Sequence, residues 1–421
     1  MLNTVKGVKD VFDSDLELFR FIENTFVKIS QKFGYSEIRT PIIEYTELFK
    51  RGIGETTDIV EKEMFTMADS KGRTISLRPE NTAGVVRAYI EHGLFNNAGL
   101  SKFFYIGPMF RRERPQAGRL RQFHQIGCEV FGANSAMLDA EVIIYAAQLL
   151  ENLKIASANF EIQISSVGCE NCRPQYNKKL VDYLTAEKNK LCETCNIRIY
   201  KNPLRVLDCK EERCQSVIVA APKIIENLCD DCNIFFEELQ GFLKIANIDY
   251  QINKRLVRGL DYYTGTVFEF VCKEGLGAQN TILAGGRYNN LVKQLGGPHT
   301  PAVGWAAGIE RLILALTNNK SDIKNIENPV KKIFIVIDKT IKKQGFEIFC
   351  NLRNNGIDIN CDYECKSFKS QFRLANKLKY RYVLILGEEE AKNENIKLKD
   401  FDCGCETIIK LSELTTKLKN L

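Results

Sequence analysis

The sequence predicts an α+β protein with an antiparallel sheet, a helical cysteine-rich insertion and a C-terminal α/β domain. Three observations carry this reading. Two strand-like runs flank a basic, turn-rich loop between Phe104 and Gly132, which makes a hairpin. Eight of the fifteen cysteines lie between Cys169 and Cys232, in a stretch otherwise charged and helical in pattern. From Ile333 to Leu386, strand and helix periods alternate. With 421 residues the chain is too long for one core. One domain is expected at 1–325, with the insertion at 169–247, and a second at 330–421.

The hairpin has an unusual face. Alternation along its second strand puts Phe123, Gln125, Gly127 and Glu129 on one side and His124, Ile126, Cys128 and Val130 on the other. The first set is a poor core face: an aromatic plate, an amide, no side chain, then a carboxylate. It makes a floor for a small ligand, with Gly127 leaving room. Across the hairpin, Arg111 can aim a guanidinium at the same floor, and that group suits bidentate contact with phosphate oxygens. A charged, solvated hairpin is the plainer alternative, but a solvated face rarely interleaves Phe and Gly with its polar groups.

Upstream, Asp13-Ser14 reads as an N-cap. Leu16, Phe19, Ile22, Phe26, Ile29 and Phe33 follow at helical spacing, and Gly34 supplies the stop. A short strand, Glu37–Arg39, runs into Thr40-Pro41. Two strands flank a turn at Ser70-Lys71-Gly72, and Arg78-Pro79-Glu80-Asn81-Thr82 then leads into a helix beginning near Ala83. A carboxylate and a hydroxyl at such a junction can hold an ammonium group, or simply cap the helix.

Beyond the hairpin come a helix, Ala140–Leu153, and a strand, Phe160–Ser165. The insertion follows. Its cysteines fall as Cys169/Cys172, Cys192/Cys195, Cys209/Cys214 and Cys229/Cys232, three CxxC pairs and one longer pair. That is the spacing of structural zinc ligands, because one turn presents two thiolates to a tetrahedral metal. Scattered buried thiols are the alternative. The segment Arg255–Gly265 reads as a strand, a glycine and two tyrosines. In Gly304–Leu312, the small residues Gly304, Ala306, Ala307 and Gly308 would let a nucleotide approach the backbone, with Arg311 on a helix start reaching outer phosphates. Asn318–Pro329 is a polar linker. It leads to strand Ile333–Ile337, helix Ile341–Asn354, strand Ile357–Cys361, helix Phe368–Leu378 and strand Tyr382–Leu386, a βαβαβ pattern with a parallel or mixed sheet.

Composition narrows the classes. The net charge of +6 is mild, but from Lys331 onward 18 Lys+Arg stand against 13 Asp+Glu. The excess therefore sits in the last quarter, as an RNA-facing module or a lysine-rich solvated surface would have it. Fifteen cysteines, an odd number, argue for reduced thiols and a metal over a secreted disulfide framework. The N-terminus has no secretory pattern and no run has the length of a membrane span, so a cytoplasmic chain with no membrane partner is expected. No Gly-x-x-x-x-Gly-Lys-Ser/Thr phosphate loop occurs, so a nucleotide would be held another way.

The hairpin stretch FRRERPQAGRLRQFHQIGCEVFG resembles motif 2 of the class II aminoacyl-tRNA synthetases, in its histidyl-tRNA synthetase form. The other parts occur in family order: the helix–strand–proline unit near Pro41 resembles motif 1, RPENT the amino-group site, RGLDYY and GGRY the histidine-specific blocks, and Gly304–Leu312 motif 3. Trp305 departs mildly from the usual residue there. The resemblance implies an antiparallel catalytic domain, an anticodon-binding domain, a homodimer, and ATP-dependent ligation of L-histidine to tRNA(His) with Mg²⁺. It implies catalytic Arg258 and Arg111. It implies contacts to histidine from Glu80, Asn81, Thr82, Gln125, Glu129, Arg258, Tyr262 and Tyr263. ATP would meet Arg111, Glu113, Phe123 and Arg311, and the tRNA end would meet Arg114, Gln116 and Arg119. A structural Zn²⁺ on the eight insertion cysteines rests on spacing, since a metal is not part of the family's general pattern. A non-catalytic paralogue of the same fold would be expected to lose the arginines or the signature blocks.

Overall fold

The two strands read on either side of the basic loop pair over their full length, from Ser101↔Phe131 to Phe110↔Gln122, and the first part of the molecule is built outward from them. The computed structural model describes residues 2–55, 57–116, 118–273, 280–318 and 333–421. The chain divides into two compact units, Met1–Ile326 and Glu327–Leu421.

In chain order the first unit begins with α1 (Asp13–Lys32), β1 (Ser36–Glu37), β2 (Ile43–Tyr45), α2 (Thr46–Ile53), β3 (Thr66–Ala68), β4 (Thr74–Leu77) and α3 (Thr82–Glu91). The hairpin β5 (Ser101–Phe110) and β6 (Gln122–Phe131) follows, then α4 (Ala136–Asn152) and β7 (Phe160–Ser166). The insertion carries α5 (Arg173–Ala186), α6 (Glu193–Lys201), α7 (Glu212–Ala220) and α8 (Asp230–Ile245). The unit closes with β8 (Gln251–Ile252), β9 (Thr266–Cys272), β10 (Thr281–Arg287), α9 (Leu291–Gln294), β11 (Ala302–Gly308) and α10 (Ile309–Asn318).

Eight strands form one sheet in the order β1-β5-β6-β11-β10-β9-β7-β8. Only the edge pairs β1–β5 and β7–β8 are parallel; every inner pair is antiparallel. One face packs on α1, α4, α8 and α10. Phe26, Ile29, Tyr145, Leu149, Leu239, Leu243 and Leu312 bury there against Ile126, Cys128 and Val130 of β6. The α8 residues Phe236, Leu239 and Leu243 thus share the sheet's own core, although α8 falls inside the stretch read as an insertion. Trp305 also points this way, 5.1 Å from the Tyr145 ring and 5.7 Å from Phe26. The opposite face shares a second core with α3 and the insertion, where Tyr89 stacks on Phe131 at 4.3 Å, and carries the site in the part left open. A small antiparallel sheet, β2-β4-β3, lies apart from the main one.

Three sequence expectations change. Asp13 is the first helical residue of α1 and no side-chain cap bond is made, so acidic Asp13 and Asp15 support the helix through its dipole instead. α4 starts at Ala136, four residues before the expected start: Ser135, in extended backbone, is its N-cap, and its carbonyl accepts from the N–H groups of Leu138 and Asp139 at 3.2 Å. Arg255–Gly265 is not a strand: it is a run of turns and irregular backbone between β8 and β9. The glycines and the Asp-Tyr-Tyr sequence interrupt any ladder there, and Leu256 and Tyr262 are buried by tertiary contact alone.

The second unit holds β12 (Ile333–Ile337), α11 (Lys342–Asn354), β13 (Ile359–Cys361), α12 (Phe368–Lys377), β14 (Tyr382–Leu386), α13 (Glu388–Lys392), β15 (Asn395–Asp400), β16 (Glu406–Lys410) and α14 (Leu411–Lys419). Its sheet order is β13-β12-β14-β15-β16, parallel on one side and antiparallel on the other, the mixed form of the expected βαβαβ pattern. Apart from Asn318, the linker read at Asn318–Pro329 lies outside the described residues.

Candidate active site

The alternation of β6 does what its sequence suggested. Phe123, Gln125 and Glu129 face a cavity of about 650 Å³ on the open side of the sheet, while Ile126, Cys128 and Val130 face the helices. The cavity also takes in Glu80, Thr82, Arg111, Arg258, Tyr262, Tyr263 and Arg311. Residues distant in sequence therefore converge on one site.

Glu129 is its most constrained group. The carboxylate is 1% exposed and accepts from Thr82 Oγ1 at 2.7 Å, from Tyr105 Oη at 3.4 Å and from Tyr288 Oη. Burial pushes its pKa up to about 8, opposed by the Tyr288, Thr82 and Tyr105 hydroxyls. Glu80 lies in the same cavity and is also raised by burial, against backbone donors. Its oxygens accept from the backbone N–H of Thr82 at 2.6 Å and of Ala83 at 3.0 Å, so it caps α3 as well as facing the cavity. Two buried carboxylates in one concavity make it receptive to a cation or a ring N–H. Gln125 adds a buried Oε1 with no protein partner.

Across the floor the charge reverses. Arg111 stacks 5.3 Å from the Phe123 ring centroid and donates Nε to the Pro79 carbonyl at 2.9 Å. Arg119 reaches Glu113 at 3.2 Å, and Glu113 and Arg119 both line the cavity. Arg311 donates to the Gly118 carbonyl at 3.3 Å and to that of Thr281. Burial, then Arg119 and Arg111, hold the Arg311 pKa below its ordinary value. Crowded, half-buried guanidiniums are a site for a polyanion. Arg258 stands between the two halves, ion-paired with Glu269 and 5.9 Å from the Tyr263 ring centroid.

Several expectations need correction. Asn81 is not among the cavity residues: it is 1% exposed, and its amide oxygen accepts from Thr40 Oγ1 at 2.5 Å and Arg78 at 3.1 Å, tying α3 to the strand before it. Gly127 does not leave room for a ligand. A Cβ there would overlap the Tyr105 hydroxyl and stand 2.7 Å from the Trp305 carbonyl, so the space belongs to Tyr105. Gly304 likewise makes way for the Glu129 carboxylate, and Ala307 is in the core. Arg114 and Gln116 are exposed on the hairpin loop, whereas Arg119 turns into the cavity.

Tyr105, Tyr288 and Glu269 went unassigned in the sequence. Tyr105 is placed by the register Tyr105↔Gly127, and Glu269 by Ala284↔Glu269. A tyrosine opposite a glycine on a predicted hairpin was the available signal for the first. Arg287, beside Tyr288, is structural: it is 2% exposed and pairs with the buried Asp139 of α4.

The eight insertion cysteines gather into two groups of four, Cys169, Cys172, Cys229 and Cys232, and Cys192, Cys195, Cys209 and Cys214, with the sulfurs of each within 4.8 Å of one another. In the first group Sγ–Sγ separations are 3.6, 3.7 and 3.8 Å. In the second, Cys192 and Cys209 are 4.0 Å apart. A disulfide needs about 2.05 Å, whereas the edge of a tetrahedron with Zn–S bonds of about 2.3 Å is about 3.8 Å. Either group could hold a metal ion. No helix among the described residues is long and apolar enough to cross a membrane.

An open antiparallel sheet, carboxylates at one end of its floor and arginines at the other, with no phosphate loop, defines a class II aminoacyl-tRNA synthetase. A family model described as histidyl-tRNA synthetase matches residues 7–312, and one described as anticodon binding domain matches residues 329–421. The chain is 46% identical to the histidine–tRNA ligase of Halothermothrix orenii over 417 residues, 99% of this chain and 98% of that one. It is 47% identical to the ligase of Thermodesulfovibrio yellowstonii over 412 residues, 97% and 96% of the two chains. The crystal structure of apo histidyl-tRNA synthetase from S. aureus superposes with a TM-score of 0.84 at 33% identity, covering 100% of both chains. The chain belongs to the histidyl-tRNA synthetase family.

Proposed function

We infer that the chain joins L-histidine to tRNA(His) at the expense of ATP, through a histidyl-adenylate, releasing AMP and pyrophosphate. The observation that carries this is the convergence of Glu80, Gln125, Glu129, Arg111 and Arg258 on one cavity from four separate stretches of sequence. In the first step the histidine carboxylate oxygen attacks the α-phosphorus and the bond to pyrophosphate breaks. In the second the terminal ribose hydroxyl of tRNA takes the acyl group and AMP leaves. No protein nucleophile is required, so catalysis is positioning plus electrostatic stabilisation.

Glu80, Thr82 and Gln125 hold the ammonium group; the orphan Gln125 Oε1 supports this. Glu129 and Tyr263 take the imidazole, with Tyr262 as a further wall of the pocket. An apolar amino acid would leave these buried groups unpaired, a penalty on the order of 10⁴-fold in rate. Arg258 and Arg111 offset charge on the α-phosphate, Phe123 stacks on adenine and Arg311 meets the γ-phosphate. Mg²⁺ accompanies ATP, and the hard oxygen ligand that fits it is Glu113, half-buried among the arginines. When bound, the ion neutralises phosphate charge. Exposed Arg114 and Gln116, with Arg119, face the acceptor end.

The insertion carries two structural Zn²⁺ ions, one per cysteine group, supported by the sulfur spacing. The catalytic domain is 1–325, with its insertion at 169–247, and the anticodon-binding domain is 330–421. The chain works as a cytoplasmic homodimer; exposed Ile42, Ile43, Tyr45 and Met67 on and beside the small sheet supply an apolar face for it. Incubating the chain with ATP, histidine and tRNA and counting charged tRNA tests the whole reading. Charging with histidine alone among the amino acids is expected; no charging contradicts it.

A further inference from the structure

Arg258, Tyr262 and Tyr263 sit on a segment without a strand ladder to hold them. Residues 253–265 are turns and irregular backbone. Their ties to the rest of the unit include the Arg258–Glu269 ion pair, Asp261 N–H to Ile53 at 3.1 Å, Thr264 N–H to Arg287 at 2.7 Å and Asn289 N–H to Thr264 Oγ1 at 2.9 Å, with Leu256, Tyr262 and Tyr263 buried. A loop with no strand ladder that must hold site residues within a fraction of an ångström draws on supporting contacts from outside the sheet as well.

The additional ties come from the two cysteine groups. Arg173, next to Cys172, donates to the Tyr263 carbonyl and to that of Val167 at 3.1 Å. Gly265 N–H donates to the Gly168 carbonyl at 2.9 Å, one residue from Cys169. From the other group, α6 carries Cys195 and sends Arg198 to Asp58 at 2.8 Å. The short turn Pro203–Val206 sends Arg205 to the same carboxylate at 2.9 Å. Asn202 Nδ2 donates to Asp261 Oδ1 at 2.8 Å, and Arg205 Nη1 lies 3.1 Å from where a Cβ on Gly259 would stand. Cys209 itself is flanked by Leu207, Asp208 and Lys210, all of which line the cavity.

We propose that the two thiolate-held metal ions are positioning elements for the histidine pocket, bracing the Arg258–Gly265 loop from two sides through Arg173 and through Asn202. The proposal rests on reading the cysteine groups as metal centres, and extends it from stability to substrate affinity. The physical route is simple. The stretch between α6 and α7 has only one short turn of its own. Joining Cys192 and Cys195 to Cys209 and Cys214 through one ion fixes its course, and hence the strut Asn202 sends to Asp261 and the place of the Arg205 guanidinium beside Gly259. Cys169 and Cys172 joined to Cys229 and Cys232 fix the start of α5, and hence Arg173.

The test uses the full chain and Zn²⁺ itself. Metal content and histidine affinity are measured on the wild type, on chelator-treated protein, and on that protein after Zn²⁺ is returned. Two zinc ions per chain are expected. Their removal should weaken histidine binding on the order of tenfold or more, and their return should restore it. Cys209→Ser and Cys229→Ser should each retain one ion and show part of the loss. Asn202→Ala and Arg173→Met, which keep all eight thiols, should keep both ions and still weaken histidine binding below the melting range; this guards against variants that fail to fold. Two bound ions whose loss leaves histidine affinity unchanged, or unchanged affinity in both strut variants, overturns the proposal while leaving the metal centres in place. A wild type that binds no zinc overturns both.

Discussion

The cavity floor and the cysteine insertion both gather polar groups away from water, by opposite means. On the floor the protein satisfies itself: Glu129 is held by Thr82, Tyr105 and Tyr288, and Glu80 by two backbone N–H groups. In the insertion, four sulfurs crowd within 4.8 Å in each group, with backbone N–H donors such as those of Asn171 and Glu211 beside them. A hydrogen-bonded floor is pre-formed by the chain alone, and a ligand finds it ready. Four thiols so spaced could hold a metal ion, which the chain would have to acquire from outside. The difference predicts which perturbations strike chemistry and which strike architecture.

The largest effect belongs to the floor. Arg258→Ala should reduce histidine-dependent pyrophosphate exchange by on the order of 10³-fold, with an unchanged circular dichroism spectrum. Near-normal exchange would remove Arg258 from the mechanism. Glu129→Gln comes next. It should raise the histidine KM by about 10- to 100-fold while the ATP KM moves little; equal changes in both would place Glu129 elsewhere. The same variant has a pH signature. Burial holds the folded carboxyl up to about 8 against an ordinary 4.5, so the folded chain keeps a proton that the unfolded chain has released. That contribution to stability is full below about 4.5 and is lost as pH climbs through about 8. The Gln variant should flatten this part of the stability curve, and a slope identical to wild type would contradict the burial argument.

Smaller effects sharpen the contrast. In Gly304→Ala the new methyl would overlap the Glu129 carboxylate and the Cys128 carbonyl, neither of which can swing away. Denaturant unfolding should register a loss of about 1–3 kcal/mol; a neutral result would mean the floor is softer than drawn. Arg114→Ala, at an exposed position on the hairpin loop, should leave stability and pyrophosphate exchange unchanged and lower only the rate of tRNA charging. A loss of exchange in that variant would move Arg114 into the first step.

What could be read in advance follows from range. The floor was legible because a period of two sorts Phe123, Gln125 and Glu129 from Ile126, Cys128 and Val130 within ten residues. The mixed C-terminal sheet was legible for the same local reason, in its alternating periods. Tyr105 and Glu269 were not, because each joins the site through cross-strand register, nor was Tyr288, which reaches Glu129 from just past the end of β10. Asn81 was misassigned because neighbours in sequence at a helix start point in different directions: Glu80 and Thr82 into the cavity, Asn81 back to Thr40 and Arg78. Arg255–Gly265 was read as a strand, but Leu256, Tyr262 and Tyr263 are buried there with no ladder, by tertiary packing. The cysteine spacing announced ligand pairs, but which pair joins which required the fold to bring residues 169 and 229 together.

The central claim is that one amino acid and one nucleotide meet over this floor. A crystal structure with a non-hydrolysable histidyl-adenylate analogue tests it most directly. The imidazole should lie against Glu129 and Tyr263, the ammonium against Glu80 and Gln125, and the phosphate between Arg111 and Arg258. An analogue bound with its ring among the arginines, or outside the cavity altogether, would contradict the account.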